Sequence, residues 1–210
     1  MRAAQRGLSI IELMLGLAIG ALVMLGLAAG AARVIRGENV SSAKLDNELR
    51  NAAFVVEREL RRAGYWGGAL AGLAAGPAAY ANPFSAIDTA TAGCVLFTYD
   101  ANGNGKLDMA SPDERYGFML SNGTLYIRTG GADFSCGAAG PGWQPLTDAS
   151  LVRVAAFSVT RADTPVPIPR SSQSVIVRQL TVTLGGALVK DASVAQSVTT
   201  TIRVRNDILG

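Results

Sequence analysis

One feature outweighs the rest: from Leu13 to Ala32 there are 20 consecutive residues without a charge, and a single carboxylate, Glu12, stands just before them. A helix of that length reaches across the hydrocarbon core of a bilayer. A carboxylate at the edge of such a run is costly unless neutralised or paired, so Glu12 is a candidate functional residue in its own right. Arg33 and Arg36 follow the run. The stretch Gly26–Ala32 could mimic the small-residue cleavage site of a secretory signal. The apolar run, however, continues into an amphipathic helical pattern and not into a turn.

Beyond Glu38, the residues Leu45, Leu49, Ala52, Ala53, Val56, Leu60 and Ala63 recur every three or four positions, which lays one apolar stripe along a helix. Arg61 and Arg62 suit its C-terminal end and Gly64 its stop. From Tyr65 to Gly93 the chain is rich in Gly, Ala and Pro, and reads as an irregular connection. The period then becomes strand-like: Val95–Tyr99, Tyr116 to Leu120, an Asn122-Gly123 hairpin turn into Thr124–Arg128, Leu151–Thr160, the alternation at Leu180, Val182 and Leu184, and Val198 to Arg205. The proline-containing segment Thr164–Arg170 reads as an exposed loop. The expected class is α+β, a long helix followed by a mostly antiparallel sheet.

Composition narrows the chemistry. With no histidine, the chain can hold neither a Ser-His-Asp nor a Cys-His centre, nor a His-containing zinc site. Nineteen basic residues face 16 acidic ones, and no run of basic residues along the sequence marks a phosphate-binding footprint, so direct nucleic-acid binding is not expected. No spacing suggests a nucleophile with its base, and no enzyme is expected. Cys94 and Cys136 are too few for a zinc site and too far apart for a CxxC motif. They pair as a disulfide in an oxidising compartment, the alternative being two buried thiols. Closing that loop is worth roughly 4 kcal/mol in chain entropy.

The segment Arg6-Gly7-Leu8-Ser9-Ile10-Ile11-Glu12-Leu13 resembles the class III signal of type IV pilins and type II secretion pseudopilins. The resemblance implies cleavage by prepilin peptidase between Gly7 and Leu8, methylation of the new Leu8 terminus, and pairing of Glu12 with the terminal amine of a neighbouring subunit during assembly. Glu59 to Gly67, Cys94 to Asp100, the segment around Trp143 and the closing Val204-Arg205-Asn206 are similar to PilW-like minor pilins, with pseudopilins related to GspJ close behind. This implies a pilin-like fold and a structural minor pilin taking part in pilus initiation at or near the tip. The alternatives are a type II secretion pseudopilin, or a pilus-borne adhesin or ligand-binding module. It also implies a leader over 1–7, a filament-core helix over 8–36, an amphipathic helix over 37–64, a connection over 65–93 and a β-rich head over 94–210. Partners would be other minor pilins, the major pilin and the peptidase. The protein would sit in the inner membrane with its head in the periplasm before moving to the pilus.

One loop admits two readings. Asp100, Asn102, Asn104, Lys106 (through its carbonyl) and Asp108 follow an EF-hand-like calcium spacing, and Asp113 or Glu114 could close the shell in place of the missing twelfth-position glutamate. The same residues equally suit a solvated turn between strands. No cofactor is required on either reading, and calcium, if bound, would be structural.

Overall fold

A computed structural model describes residues 10–74 and 82–209, without the side chains of 28–40 and 73. Gly7 and Leu8 lie outside the described residues. The chain divides into two units, one ending at Ala43 and the other beginning at Lys44. Helix α1 (Ile10–Leu60) belongs to both.

In the first unit, every described side chain from Ile10 to Leu27 is exposed, and this window has a mean hydropathy of 2.4, long and apolar enough to cross a membrane. In the second unit the expected stripe is buried. Leu45, Leu49, Val56, Leu60 and Ala63 have no exposed surface, and Ala52 and Ala53 almost none. Burying each larger side chain contributes about 1.5–3 kcal/mol. The helix ends at Leu60, and Gly64 follows in the left-handed conformation.

The described parts of the connection hold regular structure that its composition did not suggest. They contain a short helix α2 (Ala69–Ala74) and a strand β1 (Ile87–Asp88). The strands β2 (Cys94–Thr98), β3 (Arg115–Ser121), β4 (Thr124–Arg128) and β5 (Trp143–Pro145) join β1 in one antiparallel sheet, in the order β1-β2-β3-β4-β5. The β3–β4 turn is the Asn122-Gly123 pair, with φ of 49° and 79°, the positive values that a tight hairpin requires.

A second sheet contains β6 (Val152–Pro167), β7 (Ser174–Leu188) and β8 (Ala195–Arg203), with β9 (Ile208–Leu209) also paired to β7. All its pairings are antiparallel. Here one expectation fails: Thr164 to Pro167 is not loop but the end of β6, registered against Ser174 to Val177. The prolines are tolerated because β6 is an edge strand. The Ile168 amide bonds inward to the Gln173 carbonyl. By alternation, the nitrogens of Pro165 and Pro167 therefore face outward, where no ladder hydrogen bond is lost.

The core lies between the helix stripe and the inner faces of both sheets, with Val95, Phe97, Phe118, Leu125, Phe157, Leu180, Leu184 and Ile202 among its members. A smaller cluster of Cys94, Leu96, Met119 and Trp143 includes half-buried Cys136 at its margin. The Cys94–Cys136 disulfide spans 5.9 Å between Cα atoms and ties the loop before β5 to β2.

Candidate functional site

At its N-terminal end, α1 carries Glu12 in the first turn, where the helix dipole favours a negative charge. The side chain is exposed amid apolar residues. Gly16 and Gly20 follow at four-residue steps and open a shallow groove with Leu13, Leu17, Ala21 and Met24. Nothing lies within 4 Å of where a Cβ would stand on either glycine. Small residues at this spacing allow another helix close approach, and Glu12 heads that face.

At the C-terminal end of α1, three segments far apart in sequence meet. The Gly64 amide bonds to the Thr98 carbonyl and the Asp100 amide to the Tyr65 carbonyl, both at 2.9 Å. The Asn206 side-chain amide donates to the carbonyls of Arg62 and Ala63 at 3.3 and 3.1 Å, capping the helix end. The three stretches Glu59–Gly67, Cys94–Asp100 and Val204–Asn206 thus form one contiguous structure.

Two buried arginines brace this architecture, and the sequence reading missed both. Arg178 is fully buried on β7, its guanidinium donating to the carbonyls of Ser85 and Asn206 at 2.6 and 2.5 Å. Burial pushes its pKa down. It shares the strand parity of Leu180, Val182 and Leu184, which is the signal that could have placed it inside. Arg128 on β4 is equally buried and binds the Asp113 carboxylate at 2.9 Å, the carbonyls of Arg115 and Asp133, and the face of Phe134. Burial alone would raise the Asp113 carboxyl, but hydrogen bonds from Arg115 and Arg128 outweigh it and hold the pKa at about 2. Nearby, burial pushes the Tyr99 phenol up. Its hydroxyl donates to Glu59 at 2.9 Å, and its ring stacks on Tyr116 at 3.9 Å between centroids.

Most of the proposed loop ligands come together, but as a hydrogen-bonded knot. The Asp100 carboxylate accepts four backbone amides, from Gly67, Gly103, Asn104 and Gly105, at 2.6–3.1 Å. Glu114 is fully buried and accepts the amides of Ala101 and Asp108 at 2.7 and 3.0 Å. Asn102 and Asn104 both donate to Asp108 at 2.8 Å, and Asn104 accepts the Lys106 amide at 2.7 Å. Asp113 does not join them, because Arg115 and Arg128 take both its oxygens. Among the described residues, no group of three or more His, Cys, Asp or Glu is arranged to hold a metal ion. Gly67 is needed for the docking of this loop, since a Cβ there would stand 2.7 Å from the Gly103 carbonyl oxygen.

An apolar helix with a carboxylate in its first turn, continuing into an antiparallel head, defines a pilin-like α+β architecture, and the N-terminus carries the matching signal: residues 2–28 match the prokaryotic N-terminal methylation motif. The chain belongs to the family described as prepilin peptidase-dependent protein B, which it matches over residues 38–204. It is similar to the prepilin peptidase-dependent protein B of Escherichia coli (strain K12), with 28% identity over 169 residues, covering 78% of this chain and 81% of that protein. No solved structure matches it significantly. The apolar helix and the prepilin motif together fit a membrane-anchored protein with a role related to a pilus or pseudopilus.

Proposed function

We propose that this chain is a PilW-like minor pilin that helps to initiate type IV pilus assembly at or near the tip and acts without catalysis. The observation that carries this reading is Glu12 at the head of an uncovered, membrane-length apolar helix, in register with the methylation motif. In this reading, prepilin peptidase cuts between Gly7 and Leu8, the Leu8 amine is methylated, and the head stands in the periplasm before assembly. Glu12 then pairs with the terminal amine of the adjacent subunit. Two opposite charges, each costly in lipid, are thereby satisfied together, and the pairing sets the axial register. Other minor pilins and the major pilin are its partners. The hydrogen bonds within the Asp100 loop support a head that needs no ion to fold.

The test is mass spectrometry of the mature N-terminus in cells with and without prepilin peptidase, alongside pilus counts in a deletion strain. Methylated Leu8 only with the peptidase, and loss of pili on deletion, are expected. An intact Met1 or a cut near Ala32 would overturn the filament reading. Loss of protein secretion with normal piliation would assign the chain to a type II secretion pseudopilus.

A further inference from the structure

The linear sequence shows no basic cluster, yet the fold gathers five arginines at the C-terminal end of α1. Arg58, Arg61, Arg62 and Arg205 line a groove of about 550 Å³. Arg203 joins Arg61 and Arg205 in a second, adjoining cleft. The groove also holds two aromatic side chains that the core does not use. Phe54 is 63% exposed and points away from the buried stripe of its own helix, and Tyr65 is 46% exposed.

The charges do not cancel. Glu57 holds Arg61, Glu59 is shared by Arg58 and Arg62, and Asp207 holds Arg203. Asp100 also borders the groove, but it is 1% exposed and its oxygens are occupied by four backbone amides. Arg205 has an exposed side chain and no carboxylate within ion-pair distance among the described residues. Five guanidiniums thus face three paired carboxylates and the buried Asp100, leaving a positive excess of one, with Arg205 unpaired, beside exposed aromatic surface.

We propose that this groove docks an acidic segment of a neighbouring filament subunit, its carboxylate taken by Arg205 and Arg58 and an adjacent apolar side chain laid on Phe54 and Tyr65. The proposal rests on the filament reading above. Arginine and tyrosine beside an aromatic that docking would desolvate are the chemistry of interface hot spots. A phosphate backbone would need an uninterrupted basic track, whereas here acids alternate with arginines and a charge surplus of only one remains, which suits a single carboxylate.

The experiment places a photo-crosslinking benzoyl-phenylalanine at position 54 of the full-length chain in cells that assemble the filament. Adducts are mapped by mass spectrometry, and the mature N-terminus is read from the same cells. The expected result is an adduct to a prepilin-type subunit whose cross-linked peptide contains Asp or Glu. Its yield should fall about fivefold in Arg205→Glu and be largely kept in Arg205→Lys. Arg205 is exposed, so neither variant should disturb folding, and an unchanged melting temperature checks this. A methylated Leu8 terminus without an adduct, with an adduct to a peptide lacking carboxylates, or with a nuclease-sensitive adduct, overturns the docking proposal and leaves the filament reading standing. An unprocessed terminus overturns the filament reading and this partner with it.

Discussion

The two halves of α1 both carry large apolar side chains and meet opposite outcomes. Between Leu45 and Leu60 the large apolar residues of the stripe have no exposed surface, because two sheets cover them. Between Ile10 and Leu27 the large apolar residues are 55–78% exposed. Apolar surface of that extent is not left to water; it belongs to a bilayer or to other subunits. The stripe also differs in kind. The head half is one-sided, whereas the first half is apolar all round apart from Glu12, the pattern of a helix surrounded by apolar material. One helix therefore carries two kinds of apolar surface, and its sequence pattern differs between them.

The largest effect tests this contrast directly. Leu49→Ala is expected to destabilise the head by about 3–4 kcal/mol, the usual cost of deleting a fully buried leucine. Leu17→Ala should leave head unfolding unchanged within about 0.5 kcal/mol, because its side chain is exposed and lies in the other unit. Denaturant unfolding of the full chain in detergent, followed by fluorescence of Trp66 and Trp143, measures both. Equal losses would mean that the two halves unfold as one unit.

A smaller effect concerns acid. The Asp113 carboxyl is held at about 2 in the fold against an ordinary value of 3.8. Its contribution to stability is therefore complete above about pH 4 and lost as the pH falls through about 2. Asp113→Asn should flatten this part of the pH–stability curve of the head. An unchanged slope would assign the acid sensitivity to another carboxylate.

The smallest effect concerns the Asp100 loop. Its oxygens are already satisfied by the chain, so EDTA should move the melting temperature of the head by less than about 1 °C. A rise of about 5 °C or more in millimolar calcium would instead make this loop an ion site, and would show that part of the head also depends on something outside the chain.

Local pattern made much of this legible. The helix stripe, the β-rich run from Val95, the alternation from Tyr116 to Leu120 and the Asn122-Gly123 turn into Thr124–Arg128 are fixed by neighbours within a few residues, and they stand where the local pattern put them. Cys94 and Cys136 form the disulfide expected for an oxidising compartment, and not the alternative pair of buried thiols. What could not be read was decided by distant partners. Helix α2 has no apolar stripe to announce it, β1 and β5 are only 2 and 3 residues long, and Thr164–Pro167 looked like a loop because proline seldom enters a sheet. The arginine groove joins Arg58 to Arg205, and no window on the sequence contains both. Asp113 was read as a loop oxygen because the strand that brings Arg128 to it begins eleven residues later.

The two prolines at the free margin of β6 have a consequence of another kind. A subunit that accumulates beside copies of itself risks adding them through the open side of its sheet, which would produce an irregular aggregate in place of an ordered polymer. Pro165 and Pro167 remove the outward donors at the end of that margin and leave a stranger's backbone only carbonyl acceptors there. In the proposed filament, self-association would thereby be steered away from the sheet margin and toward the covering of the bare end of α1.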